Sequence, residues 1–402
     1  MKLSRINILK FIIGASLIAM PFLDNWHSTI RHEQDSLLSP LQLIRGSILI
    51  LLIAVLGSAF KQLNIRKLML APFLMIMFIL VVLAIPQSSV GGNLVEVFRL
   101  AYISVFLFCG YYISQYDDTL ENWLYNIGLV MLVSIIGLQI YGFSIGSTFY
   151  RSEFAMVGLG DRPSVTAQGL NVVILLLLIK VRDYKIKHWV ILAIAFISLS
   201  FTLRRGSLIG ATLSLIALFI VLVLYDRSTI KNIKISFPFI SVFVIGAFII
   251  INSPIYADLL ARMEGINIAV GGTGSGRLDF WAAGLQSGMN RPIIEMLVGE
   301  GIGNVSTAIG RNFFRNITAH NLWLQYLIGL GFVGIFLILH WHFKLIYLCK
   351  KINHLYKPIV VAASVSILFV GFTDGSVLNP TWAAVYFLIG ISIQRNNIEN
   401  NH

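Results

Sequence analysis

The stretch "TAHNLWLQYLIGLGFVG", residues 318–334, sets a histidine and an asparagine at the start of an apolar run that continues to Leu339. A run of this length approaches the roughly 20 residues that an α-helix needs to cross a bilayer. Thr318 is a suitable N-cap, which places His320 and Asn321 in the first turn of the predicted helix. The stretch therefore predicts a membrane-spanning helix whose outer end carries polar side chains.

The rest of the chain has the composition of a polytopic membrane protein. Of its 402 residues 57% are hydrophobic and 12% are charged, against roughly 25% charged residues in soluble domains. Apolar runs near spanning length predict helices at residues 6–23, 41–60, 68–86, 100–114, 123–145, 164–180, 189–203, 208–225, 237–252, 321–340, 358–372 and 381–394. We therefore predict an all-α integral membrane protein of about twelve transmembrane helices. It forms a single polytopic domain over residues 1–402, with one long outer loop, residues 253–320, that carries short helices between spans nine and ten.

Basic residues set the orientation of this domain. The N-terminus carries Lys2, Arg5 and Lys10 before an apolar stretch that has no small-x-small cleavage site, which predicts a retained first helix with a cytoplasmic start. The Lys-rich segments 61–67, 180–188, 226–234 and 340–357 then fall inside, as the positive-inside rule requires, and both termini are cytoplasmic. One predicted inside loop, "SQYDDTLEN" at residues 114–122, disagrees because it has three acids and no base.

All thirteen lysines fall inside in this topology, and the outer positive charges are all arginines. The outer set is Arg31, Arg45, Arg99, Arg151, Arg162, Arg204, Arg205, Arg262, Arg277, Arg291, Arg311 and Arg315. One interpretation is that the insertion rule concentrates lysine inside and leaves arginine outside. The other is that planar guanidinium groups bind the phosphates of a lipid diphosphate. The net charge of +12 is spread over both sides of the membrane, which favours anionic lipid over nucleic acid as the partner.

Two arginine positions stand out within this set. "FTLRRGSLIG", residues 201–210, interrupts a long apolar stretch and predicts a helical hairpin that turns at Arg204-Arg205, where the guanidinium groups either face a wet cavity or snorkel to lipid headgroups. "GGTGSGRLDFWAAGL", residues 271–285, predicts a short amphipathic helix with Arg277 in its first turn. Arg277 then either helps a helix N-terminus bind phosphate or pairs with an acid such as Asp279.

His320 has two interpretations as well. A helix N-terminus disfavours the imidazolium form, so the ring is expected to be neutral near pH 7 and able to act as a general base. Alternatively, the ring only caps an interfacial helix. Metal-binding pairs, phosphate loops and nucleophile elbows are absent from the sequence, so we predict no metal and no other cofactor. The two cysteines, Cys109 and Cys349, are interpreted as packing residues.

These residues together resemble the O-antigen ligase and polymerase superfamily of bacterial inner-membrane glycan transferases. The ligases carry His, then Asn, Ser or Gln, nine residues and Gly-x-x-Gly, which His320-Asn321, "LWLQYLIGL" and Gly331-Phe332-Val333-Gly334 match in full. The superfamily also has essential arginines before and within the long outer loop, which here look like Arg204 or Arg205 and Arg277.

The resemblance implies a metal-independent, inverting transfer of a glycan from undecaprenyl diphosphate to a sugar hydroxyl on the periplasmic side of the inner membrane. Arg205 and Arg277 would stabilise the diphosphate leaving group, and His320 would act as the base. Arg204, Asn321, Arg311 and Arg315 would bind substrate, with Asn321 orienting His320. An O-antigen ligase acting on lipid A-core is the favoured member. The alternatives are a repeat-unit polymerase, which would work with a chain-length regulator, a protein oligosaccharyltransferase, and, from a different class, a flippase for lipid-linked sugars.

Overall fold

The computed structural model describes most of the chain. The described residues are 2–29, 40–62, 68, 70–84, 90–146, 148–149, 152–156, 158, 163–183, 185–225, 277–310, 321–349, 357–374, 377–378 and 380–399. The α-helices in these ranges are α1 (Lys2–Thr29), α2 (Pro40–Leu56), α3 (Ala71–Ala84), α4 (Val90–Ile113), α5 (Leu120–Ser144), α6 (Pro163–Leu177), α7 (Ile186–Ser200), α8 (Arg205–Tyr225), α9 (Arg277–Met289), α10 (Ile293–Val298), α11 (Val305–Gly310), α12 (Leu322–Cys349), α13 (Lys357–Asp374) and α14 (Ala383–Glu399).

Apolar helices dominate these ranges, as predicted for an integral membrane protein. Four stretches are long and apolar enough to cross a membrane, namely Gly92–Ile113, Leu120–Ser144, Ser164–Val181 and Leu322–Leu345, and further apolar helices are shorter. Each predicted span overlaps a described helix except the ninth, residues 237–252, which lies outside the described residues. The number of twelve spans therefore stays a prediction. One feature was not predicted: Thr148–Phe149 and Ser152–Met156 pair as a short antiparallel β-hairpin.

The bundle is built around α6 and around a close crossing of α4 with α14. Every residue of α6 from Thr166 to Leu177 is buried, including the polar Gln168 and Asn171, so this helix lies inside the bundle. At the crossing, a Cβ atom on Gly110 would lie 2.0 Å from the Phe387 carbonyl oxygen, and one on Gly390 would lie 2.1 Å from that of Leu107. Small residues at both positions thus allow the two backbones to touch, which is how membrane helices gain packing energy.

Contacts at one end of the bundle bring the acidic loop against basic residues of other helices. Lys10 of α1 forms a 2.7 Å ion pair with Asp117. Arg395 of α14 pairs with Asp118 and donates a 2.9 Å hydrogen bond to the Asp117 carbonyl oxygen. The loop after α4 therefore lies at the same end as the basic residues of the first and last helices. Two of the three acids of the loop, Asp117 and Asp118, are thus neutralised by bases of neighbouring helices, and the side of the membrane on which the loop lies stays a prediction.

Candidate active site

The α12 helix is broken at Gly331. Gly331 has φ 62° and ψ −162°, a backbone conformation that is essentially restricted to glycine. The carbonyl oxygens of Ile328 and Gly329 accept hydrogen bonds from the Glu300 and Gly301 N–H groups, at 3.2 and 2.8 Å. The first part of α12 therefore ends here, and residues 300–301 cap its last carbonyl oxygens. We call residues 322–330 the short arm and residues 332–349 the long arm of α12.

The two arms fold back against each other. The rings of Trp323, on the short arm, and His342, on the long arm, have centroids 6.0 Å apart, whereas 19 residues of straight helix would span about 28 Å. A Cβ atom on Gly334 would lie 2.2 Å from Leu330 Cβ, and one on Gly331 would lie 2.4 Å from the Leu297 carbonyl oxygen. Both glycines of the Gly-x-x-Gly pattern are therefore required by the reversal. Leu322–Leu345 thus has the length and composition of a span, but the prediction of one continuous helix over residues 321–340 is corrected, because the helix reverses at Gly331.

Asn321 begins the short arm as its N-cap. The Leu324 N–H donates a 3.1 Å hydrogen bond to Asn321 Oδ1, and the Asn321 side chain is 4% exposed. The prediction that the helix starts at Thr318, with His320 and Asn321 in its first turn, is corrected because α12 starts at Leu322. That Asn321 binds substrate stays a prediction, and its side-chain oxygen is already engaged in capping. His320, Arg311 and Arg315 lie outside the described residues, as does Thr318.

Helix α9 lies beside the short arm and runs in the same direction. A Cβ atom on Gly284 would lie 2.7 Å from Leu324 Cδ2, and one on Gly288 would lie 3.5 Å from Leu327 Cγ. The contact partner of Gly288 lies further along the short arm than the partner of Gly284, so the two helices are parallel. The N-terminal end of α9, where Arg277 is the first residue, therefore points the same way as the N-terminal end of the short arm.

Both of these ends contact the last turn of α13. The Trp281 ring, one turn into α9, packs edge-on against Phe372 with centroids 5.0 Å apart. A Cβ atom on Gly371 would lie 3.5 Å from Leu322 Cδ2 at the start of the short arm. The C-terminal end of α13 thus holds two helix N-termini side by side.

The N-terminus of α8 reaches the same turn of α13. Leu203 adopts a left-handed conformation with φ 54°, and this residue reverses the chain between α7 and α8. The Arg204 carbonyl oxygen accepts the first helical hydrogen bond, from the Leu208 N–H at 3.0 Å. A Cβ atom on Gly206 would lie 2.5 Å from Thr373 Oγ1. The predicted helical hairpin is confirmed, with its turn at residues 201–204 and with Arg205 as the first residue of α8.

Three helix N-termini therefore converge on residues 371–373, and we call this arrangement the N-terminal cluster. Each N-terminus carries the positive end of a helix dipole, which favours an anion nearby. Arg205 and Arg277 occupy the first positions of α8 and α9, and His320 immediately precedes the cap of the short arm. The backbones of Arg205 and Arg277 are described, but their side-chain positions are not. Arg204 is half-buried beside Arg205.

Sequence analysis missed a buried polar group that supports the opposite side of the short arm. The Tyr326 hydroxyl donates a 2.7 Å hydrogen bond to Glu96 Oε1, and Arg99 Nη1 donates a 3.1 Å bond to Glu96 Oε2. Nearby, the Gly303 N–H donates a 3.2 Å hydrogen bond to Asn93 Oδ1. A carboxylate within an apolar helix is expensive and usually has a partner, so Glu96 was the signal in the sequence that could have indicated this group.

Arg291 has a structural role at the tip of the α12 reversal. Its guanidinium donates hydrogen bonds to the Ile328 carbonyl oxygen at 2.9 Å, to Glu300 at 3.0 Å and to Ser287 Oγ at 3.2 Å. A cation at a helix C-terminus is favourable because it compensates the negative end of the dipole. For Arg291 and Arg99 the guanidinium groups are thus engaged with protein carboxylates. Arg31, Arg151, Arg162 and Arg262 lie outside the described residues.

Comparison with known proteins bears on the same part of the chain. Residues 190–339 match a protein-family model described as O-antigen ligase. The matched range runs from α7 into the long arm and contains all three N-termini of the cluster. This match confirms the resemblance found from the His-Asn and Gly-x-x-Gly spacing. No curated protein matches the chain.

Proposed function

We propose, from the match of residues 190–339 to the O-antigen ligase family model, that the protein transfers a glycan from an undecaprenyl diphosphate carrier to a sugar hydroxyl at the periplasmic face of the inner membrane. The favoured acceptor is lipid A-core, which would make the protein an O-antigen ligase. The single observation that carries this proposal is the N-terminal cluster. It brings the first residues of α8 and α9 and the cap of the short arm to one turn of α13.

The departure of the diphosphate is the step in which the N-terminal cluster would matter most. When the bond between the anomeric carbon and the diphosphate oxygen breaks, negative charge grows on the diphosphate. Arg205 and Arg277, assisted by Arg204, would stabilise that charge together with the backbone N–H groups of the helix ends. The backbone N–H groups are preorganised, because they belong to the first turns of packed helices, so they need little reorganisation as the charge develops.

Activation of the acceptor hydroxyl is assigned to His320, the residue before the Asn321 cap. The acceptor hydroxyl oxygen would attack the anomeric carbon from the face opposite the diphosphate, which inverts the configuration. His320 would take the hydroxyl proton as the new glycosidic bond forms. The diphosphate leaves on its lipid and carries the electron pair of the broken bond. The proposed mechanism routes no step through a metal ion.

A null strain tests the proposal at the level of products. Lipopolysaccharide is run on a gel, and lipid-linked glycans are extracted from the same cells. Long lipid-linked chains with bare core would support the ligase, and core capped with a single repeat would instead indicate the polymerase. Glycan retained on the cytoplasmic side would indicate a flippase, and normal lipopolysaccharide would contradict both transferase assignments.

Point variants test the assigned residues. Arg277→Lys and His320→Ala should each abolish transfer while the protein stays in the membrane, because an ammonium group cannot replace the bidentate fork and alanine cannot accept a proton. Arg31→Lys and His32→Ala, outer residues outside the family match, are the matched controls and should retain transfer. Near-normal transfer by Arg277→Lys would remove the argument for bidentate phosphate binding at that position.

A further inference from the structure

A polar cleft lies at the C-terminal end of α9, where the chain turns into α10. Its volume is about 380 Å³, which is within the usual range of ligand sites. Six of its eight lining residues carry polar or charged side chains, namely Gln286, Ser287, Asn290, Arg291, Glu295 and Glu300. The other two are Pro292 and Ala308. A lining with many hydrogen-bonding groups and two small apolar residues is suited to a ligand that carries hydroxyl groups on a carbon ring.

The floor of the cleft is fixed by Arg291. Its Nη2 atom donates hydrogen bonds to Glu300 at 3.0 Å and to Ser287 Oγ at 3.2 Å. Its Nη1 atom donates to the Ile328 carbonyl oxygen at 2.9 Å. The Arg291 and Glu300 side chains are 6% and 14% exposed, so both are engaged in holding α9 to the α12 reversal. The shape of the floor is therefore set by the fold and does not depend on a ligand.

Three side chains at the rim of the cleft are available to a ligand. Gln286, Asn290 and Glu295 are exposed, and their side chains form no hydrogen bond with the residues that the structure describes. The two amides donate and accept hydrogen bonds, and the carboxylate accepts them. The hydroxyl groups of a sugar also donate and accept, so this set of groups matches them.

The charge and the position of the cleft both separate it from the diphosphate. Arg291 and Glu300 neutralise each other, so Glu295 leaves the lining with a net negative charge, which repels a phosphate group. Gln286 lies nine residues after Arg277 on α9, which is about 14 Å along the helix. A single sugar bonded to a diphosphate at the N-terminal cluster does not span this distance. The cleft is therefore within reach only of a sugar further along a glycan chain.

We infer, on the basis of the proposed function, that this cleft is a subsite for an uncharged sugar residue of the glycan chain, remote from the bond that is transferred. Gln286, Asn290 and Glu295 bind the hydroxyl groups of this sugar. Pro292 and Ala308 contact the C–H groups of its ring. The sugar belongs to the lipid-linked donor glycan or to the acceptor oligosaccharide, since both carry such residues. A subsite in this position selects which glycan chain is bound.

Binding of glycans released from their lipids tests this inference without relying on glycan transfer. The full chain is purified in detergent and mixed with one of two probes, the glycan released from the lipid-linked donor by mild acid or the delipidated core oligosaccharide from the same cells. Saturation-transfer difference NMR measures the dissociation constant of each probe for the parent and for the double variant Gln286→Ala, Asn290→Ala. The matched control is Asn122→Ala, which changes an exposed asparagine of α5 outside the cleft.

The double variant should bind one of the probes at least about tenfold more weakly, because two hydrogen-bonding side chains are lost. The probe that is affected identifies the source of the sugar. Asn122→Ala should bind as the parent does, and all variants should keep the parental unfolding midpoint, since the changed side chains are exposed.

Three results would each overturn the subsite. They are an unchanged dissociation constant in the double variant, displacement of the affected probe by inorganic phosphate, and no binding of either probe by a parent that still transfers glycan. None of them bears on the proposed function, which fails instead if the null strain makes normal lipopolysaccharide.

Discussion

The substitution Gly331→Ala tests whether the α12 reversal is needed for the site. An alanine at φ 62°, ψ −162° carries a strain of about 1 to 3 kcal/mol. Its Cβ atom would also lie 2.4 Å from the Leu297 carbonyl oxygen and 2.5 Å from that of Met296, so backbone must move. Together these effects should disfavour the folded-back α12 by at least about 2 kcal/mol, which is more than a tenfold change in the equilibrium.

Two measurements follow this variant. The rate of glycan transfer should fall at least tenfold, because the cap of the short arm leaves the N-terminal cluster. A disulfide between Leu322→Cys and Gly371→Cys, whose Cβ atoms would be 3.7 Å apart and thus within disulfide range, should form readily in the parent and poorly with Gly331→Ala. The control is Gly137→Ala, since a Cβ atom there would meet nothing within 4 Å. Parental transfer and cross-linking in Gly331→Ala would refute the reasoning.

Three further substitutions probe contacts that stabilise the fold, two beside the site and one at Asp117 in the acidic loop. Asn321→Ala removes the cap of the short arm and should destabilise it by about 1 kcal/mol, measured by thermal unfolding in detergent, while Asn321→Asp should retain the parental midpoint. Arg291→Met leaves the partly buried Glu300 without its partner and should cost about 1 to 3 kcal/mol; the double variant Arg291→Met, Glu300→Gln should recover part of the loss, and no recovery would contradict the pairing. Burial raises the pKa of Asp117, but hydrogen bonds from Lys10 and Thr119 outweigh burial and hold the pKa below its usual value. Because the pKa of Asp117 is lower in the folded than in the unfolded protein, its charge stabilises the fold above about pH 4, and this stability is lost as the pH falls further. In Asp117→Asn the unfolding midpoint should therefore fall less steeply as the pH is lowered below about 4.

Apolar runs predicted most of the helices because membrane insertion depends on local composition, and the apolar stretch on each side of Arg204-Arg205 likewise predicted the α7–α8 hairpin. The reversal at Gly331 was not predicted, since "LWLQYLIGLGFVGIFLIL" is apolar apart from Gln325 and only the contacts of α12 with residues 297–301 reveal where the helix stops. The spacing of nine residues between Asn321 and Gly331 in the His-Asn and Gly-x-x-Gly pattern is the length of the short arm.

The site was predicted only in part, because local sequence patterns indicate helix ends but not which helix ends meet. Helix ends and their arginines could be assigned from local patterns, so the first positions of α8 and α9 were anticipated. Their meeting on residues 371–373 could not be, because nothing in "GFT" marks it as the contact point for three helix N-termini. Glu96, three residues before Arg99 in an apolar helix, could have indicated the role of Arg99, whereas the role of Arg291 could not be predicted, because it depends on the fold bringing Glu300 and the Ile328 carbonyl oxygen to it.

The fold-back of α12 is the claim on which the assembled site depends, and one distance tests it directly. Cysteines introduced by Trp323→Cys and His342→Cys, in the Cys109→Ala, Cys349→Ala background, are treated with a bifunctional thiol reagent that bridges roughly 10 Å, compared with the about 28 Å expected for a straight helix. The ring centroids of the native residues are 6.0 Å apart, so the account predicts efficient intramolecular cross-linking in membranes. Absence of the cross-link, while a reagent that bridges about 25 to 30 Å succeeds, would contradict the account.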